Sequence, residues 1–156
     1  MSPFNMLSKL GLVCWSTLHL GLKKGWVKRN DVFKYAIDKL EDGKDSQDVV
    51  LIAGGDYLSD EELISLIEGQ LQGEDVAFDI DKWRLAFLLC IEESTESDES
   101  KLRRLQEIYV DFDYPEDMSL CSIYSSGDTP PLAEMSKVVQ KLKERFLLSG
   151  GGGEFN

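Results

Sequence analysis

Four carboxylates, Asp111, Asp113, Glu116 and Asp117, fall within seven residues of the run Ile108-Tyr109-Val110-Asp111-Phe112-Asp113-Tyr114-Pro115-Glu116-Asp117-Met118. A carboxylate pair two residues apart after an apolar stretch can act as nucleophile and general acid in phosphoryl transfer, provided that it ends a strand beside magnesium. The same alternation of oxygens opens a calcium loop. Neither pattern is completed here. Pro115 stands at the third position of the phosphatase-like motif, and Pro115 with Glu116 take the next ligand and glycine positions of the calcium loop. A third use is electrostatic. Tyr109, Phe112 and Tyr114 can anchor the segment on a core while Pro115, which has no N–H and biases Tyr114 away from helical angles, stiffens it. That would hold a rigid acidic corner at the surface.

Other residues with chemical potential are sparse. His19 is the one histidine, and the three cysteines, Cys14, Cys90 and Cys121, are widely spaced in apolar surroundings. That composition argues against zinc and for buried reduced thiols in a cytoplasmic protein. Gly54-Gly55 has no Lys-Ser/Thr after it, so it reads as a bare turn and not a phosphate loop. Lys23, Lys24, Lys28 and Arg29 read as complement to a helix end and counter-charge for the acidic residues. Trp26 and Trp83 read as core. No catalytic residue, cofactor or metal follows from these patterns, and the expectation is a protein without enzymatic activity.

The elements that must position the corner read as helices. Phe4 to Val13 fits a short helix, and Ser16-Thr17 can cap a second that stops at Gly25. Asn30 reads as the cap of a third, running to Gly43. Asp45-Ser46 start a short buried segment through Ala53. Ser59-Asp60-Glu61-Glu62 is a capping box opening a helix that Gly73-Glu74-Asp75 closes. Asp79 or Asp81 then starts a helix that is apolar nearly all round from Leu85 to Ile91, which places it centrally. Glu92 to Ser100 reads as a mobile loop, Lys101 to Tyr109 as a helix and Met118 to Tyr124 as a strand or extended segment. Pro130-Pro131 open the last helix, with Leu132, Met135, Val138, Val139, Leu142 and Phe146 on one face. The expected fold is all-α: a single irregular domain of about seven helices over residues 1–148, with a flexible Gly-rich tail over 149–156.

Charge narrows the partners. The 156 residues carry a net charge of −12. Residues 1–44 hold eight bases and four acids, whereas residues 45–117 hold five bases and twenty-one acids, a net of −16. Such a field repels nucleic acid and anionic membranes and attracts basic proteins. The apolar runs are too short to span a bilayer, and no signal peptide is read at Met1–Leu22.

Trp15 with its Leu-rich turn, Gly21-x-x-x-Gly25-Trp26, Asp31-Val32-x-x-Tyr35-Ala36, Lys82-Trp83 and the run from Ile108 to Glu116 together resemble a bacterial family of small acidic proteins of unknown function. The resemblance spans about residues 14–120. It implies an immunity protein of a toxin–immunity pair, such as those of contact-dependent growth inhibition. A toxin that attacks nucleic acid must be basic to hold phosphates, and an acidic inhibitor suits it. The expected partner surface comprises Asp111, Phe112, Asp113, Tyr114, Glu116 and Asp117, with Glu61 and Glu62 as companions and Tyr57 as a further aromatic anchor. Two other readings stay open: an acidic adaptor for another basic protein, and a metal-dependent hydrolase using Asp111 and Asp113.

Overall fold

The structure is a computed structural model that describes residues 2–43, 46–73 and 75–148. Asp45, Glu74 and the expected tail from Ser149 lie outside the described residues. Among the described residues eight α-helices follow one another: α1 (Pro3–Leu10), α2 (Trp15–Lys24), α3 (Arg29–Glu41), α4 (Gln47–Ala53), α5 (Asp60–Glu68), α6 (Val76–Glu92), α7 (Asp98–Asp111) and α8 (Pro131–Lys143). Short 3₁₀ turns occupy Gly55–Tyr57 and Glu116–Cys121, and a π-helical turn, Glu144–Leu148, extends α8. No strand occurs among the described residues. The protein is all-α. The extended segment expected over Met118–Tyr124 is instead largely the 3₁₀ turn, with Met118 and Cys121 buried three residues apart.

The described residues fall into two compact units, Leu12–Ile80 and another formed by the residues up to Gly11 with those from Asp81 onward. Within the first, α3 packs on α4, and α5 packs on both α2 and α4. Its buried residues include Leu18, Val32, Ala36, Ile52, Leu63 and Ile67. Trp15 meets Tyr35 edge to face at 4.9 Å, and burial pushes the Tyr35 phenol well above its ordinary range. His19 pairs with Glu68 at 3.0 Å. The Ser59–Glu62 capping box forms as expected. Glu62 N–H donates to Ser59 Oγ at 3.1 Å, and Ser59 N–H donates to Glu62 Oε1 at 2.9 Å.

Several helix starts lie earlier than the sequence suggests. α2 starts at Trp15, because the Thr17 hydroxyl accepts from the Cys14 N–H at 2.8 Å. α3 starts at Arg29, because the Asp31 carboxylate accepts from the Lys28 N–H at 3.0 Å. In both the capping group stands at the third helical position and reaches back. α6 starts at Val76, where Asp75 caps the N–H of Phe78 at 3.2 Å. The expected loop Glu92–Ser100 is cut short because Ser97 caps the Ser100 N–H at 3.2 Å, which starts α7 at Asp98. α5 ends at Glu68, before the expected stop at Gly73, with Gly69 as its C-cap.

In the second unit α8 packs on α7 and on the 3₁₀ turn, which also packs on α7. Along α6, Trp83, Leu85, Ala86, Leu88, Leu89 and Ile91 are all at most 1% exposed, so the stretch from Trp83 to Ile91 is buried around its circumference. Met118, Cys121, Met135, Val139 and Phe146 are also buried. Burial raises the Cys121 thiol from 9.0 to about 11. A thiol raised in the folded state favours folding fully below its unfolded value, and that contribution disappears as pH climbs through the folded value. Urea titrations should therefore show stability falling between pH 9 and about pH 11. Cys121→Ala, although less stable at neutral pH, should lose less across the same window.

Candidate functional site

The acidic corner is the C-terminal end of α7 and the turn that follows it. α7 runs to Asp111, so Ile108-Tyr109-Val110 is helical and Asp111 and Asp113 stand at a helix end. The strand end that a phosphoryl-transfer pair needs is not built here. Among the described residues, no group of three or more His, Cys, Asp or Glu is arranged to hold a metal.

The helix ends in an unusual way. Asp113 N–H donates to the Val110 carbonyl at 2.9 Å, and Tyr114 N–H donates to the Tyr109 carbonyl at 2.8 Å. This is the paired closure that normally places glycine in the left-handed position. Here that position is Asp113, at φ 61°, and Tyr114 follows at φ 53°. Asp tolerates the left-handed region because its short side chain can bond locally, but a bulky aromatic there is an outlier costing about 1–2 kcal/mol. Two edge-to-face contacts hold the strained pair. Tyr114 meets Tyr109 at 5.2 Å, and Phe112 meets Phe87 of α6 at 5.6 Å. Pro115 then starts the 3₁₀ turn.

The structure separates the expected site residues by role. Asp111, Asp113 and Glu116 are exposed, and among the described residues no cation pairs with them. Asp117 is different. Arg84, only 4% exposed, donates to Asp117 Oδ1 at 2.7 Å and to Asp81 Oδ1 at 3.1 Å. Arg145 donates to the other oxygen of Asp81 at 2.6 Å. Asp117 is thus counter-charge for a buried guanidinium, which the sequence could not show. Phe112 is half-buried against Phe87, while Tyr114 is 58% exposed. Glu61 and Glu62 stand on the first turn of α5 in the other unit. Glu62 is engaged by its cap, and the Ser59 backbone N–H lowers its carboxyl below the ordinary range.

Sequence reasoning missed the exposed apolar residues around the corner: Val110, Leu120, Ile123 and Tyr124. Gln106 holds the chain beyond the 3₁₀ turn against α7, donating to the Cys121 carbonyl at 2.9 Å and accepting from the Ile123 N–H at 3.2 Å. Val110 lies one turn beyond Gln106 on the same helix face. Carboxylates and apolar groups therefore interleave over residues 110–117, and exposed apolar groups follow at Leu120, Ile123 and Tyr124. A groove of about 470 Å³ between the 3₁₀ turn and α8 borders Asp117 and Leu120, and its walls carry both acids and the bases Lys137 and Lys141.

A family model described as an uncharacterized protein conserved in bacteria (DUF2247) matches residues 4–148. The chain belongs to that family. No curated protein and no solved structure matches the chain. The DUF2247 match includes the corner and extends past the resemblance read at residues 14–120, through the 3₁₀ turn and α8. Among the described residues, no helix is long and apolar enough to cross a membrane.

Two substitutions separate strain from charge at the corner. Asp113→Gly should stabilise the protein by about 0.5–1 kcal/mol, since glycine takes the left-handed position without a Cβ penalty and its greater unfolded-state entropy offsets only part of the gain. Asp117→Asn should destabilise by about 1–3 kcal/mol, because it removes one of the two carboxylate charges paired with a buried guanidinium. Denaturant unfolding at neutral pH measures both.

Proposed function

We propose that this DUF2247 protein is an immunity protein that binds and neutralises a cognate basic toxin, with the α7 corner as its contact surface. The observation that carries the reading is the combination at residues 110–124 of unpaired carboxylates with exposed tyrosines on a backbone fixed in an energetically unfavourable shape. Strained backbone persists only where its surroundings over-determine it, and such positions cluster at binding and catalytic sites. Asp111, Asp113 and Glu116 supply negative potential to steer a basic surface. Steering does not provide affinity by itself, because a nanomolar complex requires about −12 kcal/mol. Tyr114 and Tyr124 supply the large apolar area that anchors protein interfaces, and Val110, Leu120 and Ile123 surround them.

The charge suits a toxin that acts on nucleic acid, whose own site must present Lys and Arg to phosphates. An inhibitor that covers such a site with carboxylates competes for the same cations. The proposed role involves no catalysis, so Asp111 and Asp113 act as fixed charges in a stoichiometric complex formed in the cytoplasm.

The test is stopped-flow association with the purified product of the adjacent gene at several salt concentrations. Screening shortens to about 8 Å at physiological salt, so association should slow steeply as salt rises while dissociation changes less. The double reversal Asp113→Lys and Glu116→Lys should slow association by about tenfold or more and flatten its salt dependence. Tyr114→Ala should act mainly by speeding dissociation. An association rate indifferent to salt and to the reversals would contradict the reading.

A further inference from the structure

The unit Leu12–Ile80 carries a second exposed apolar surface. α4 places four branched apolar residues in succession, Val49-Val50-Leu51-Ile52, and one helix face cannot bury them all. Val49 and Ile52 point inward, at 4% and 0% exposure, which leaves Val50 50% and Leu51 37% exposed. Beside them Leu51, Leu58 and Leu66 form the apolar lining of a groove of about 430 Å³ between α4 and α5. Its remaining lining is Glu61, Glu62 and Ser65, on the first two turns of α5. Tyr57, 76% exposed, extends the apolar surface along the Gly55–Tyr57 turn.

The wall of this groove is fixed. Arg29 donates to the carbonyls of Gly55 and Leu58 and to Asp60 Oδ1, so one guanidinium holds the turn and the start of α5. A Cβ on Gly55 would come within 2.7 Å of Leu58 Cδ1 and 3.2 Å of the Phe33 ring, so Leu58 sits directly on the turn. Arg29 is thereby committed to Asp60, and Glu61 and Glu62 keep their charge at the groove. The charge is one-sided. Residues 45–80 contain ten acids and no Lys, Arg or His.

We infer that the α4–α5 groove docks a cationic amphipathic helix of a partner protein, with its apolar side chains on Leu51, Leu58 and Leu66 and its Lys or Arg residues over Glu61 and Glu62. Charge complementarity selects the occupant. An anionic or neutral apolar segment would leave two carboxylates at the edge of a dry contact without cations, which is unfavourable. A small molecule fits less well, because ligand pockets combine apolar walls with polar groups converging on one point. Here the polar groups lie only along one edge, and apolar surface continues outside the groove at Val50 and Tyr57. A helix laid in a groove uses such an extended strip. This surface is independent of the α7 corner and does not rest on the immunity reading.

The test uses the full chain with isotope-labelled leucine methyls and a synthetic helix of about 15 residues made of Leu and Lys in an amphipathic pattern, with the same pattern in Leu and Glu as control. The Leu/Lys helix should shift the methyl signals of Leu51, Leu58 and Leu66, and the Leu/Glu helix should not. Leu51→Lys should weaken binding by at least about tenfold, and Glu61→Gln by a few-fold. Both residues are exposed, so circular dichroism and thermal unfolding should stay at wild-type values. Equal binding of the two helices, binding unaffected by Leu51→Lys, or shifts confined to the α7 corner would overturn the inference. So would a concentration-dependent dimer abolished by Leu51→Lys, since that would assign the face to a second copy of the chain.

Discussion

A guanidinium is stable inside a protein only where carboxylates and hydrogen-bond acceptors replace its water, and in the unit from Asp81 onward that requirement falls on Arg84. It is nearly inaccessible, it projects from the most buried helix, and its partners are Asp81 and Asp117. Losing one partner of a buried ion pair is costly because the remaining charge stays in a poor medium. Asp117 is therefore held in place, and with it the 3₁₀ turn Glu116–Cys121, which packs on both α7 and α8. The position of Asp81 carries the same constraint to the π-helical turn Glu144–Leu148 through Arg145. The left-handed pair Asp113–Tyr114 is bounded by the end of α7 on one side and this anchored turn on the other. With both ends fixed, the two residues have to close the gap in a conformation they would not choose.

This arrangement gives the four carboxylates different roles. Asp117 balances an internal charge, whereas Asp111, Asp113 and Glu116 are left to the outside. A protein that needed only solubility could disperse such charges over flexible side chains. The corner keeps them on a segment with little freedom, next to aromatic groups, and a partner of the kind proposed would lose less entropy there than in ordering a loose loop.

Much of the fold was legible because helix periodicity and local caps are short-range. The Ser59–Glu62 box, the α6 run Leu85–Ile91 and the last helix after Pro131 all form where the apolar spacing and capping residues place them. Misplaced boundaries share a cause. Thr17 and Asp31 cap from inside the helix toward a Cys and a Lys that are poor caps by type, so the eye moves to the better-looking Ser16 and Asn30. Ser97 was hidden in an acidic stretch that read as loop, and Asp75 in one that read as the stop of the preceding helix. The candidate site was less legible. The clustering of carboxylates with aromatics is visible in one line of sequence. Nothing in it shows that Asp117 answers Arg84, 33 residues away, or that Asp113 takes a position where glycine is the rule. The exposed faces of Val50 and Leu51 were equally hidden, because four apolar residues in a row read as buried.

The paired hydrogen bonds and aromatic contacts imply a corner that is preformed in the isolated protein. Amide hydrogen exchange at Asp113 and Tyr114 tests this most directly. Their N–H groups donate to the carbonyls of Val110 and Tyr109, so opening the corner must break both bonds. Protection of these two amides comparable to that of the interior amides of α7 is the result expected for the isolated protein. Exchange at the rate of an unprotected chain, with α7 itself protected, would show that the left-handed turn is open in solution and would contradict the account.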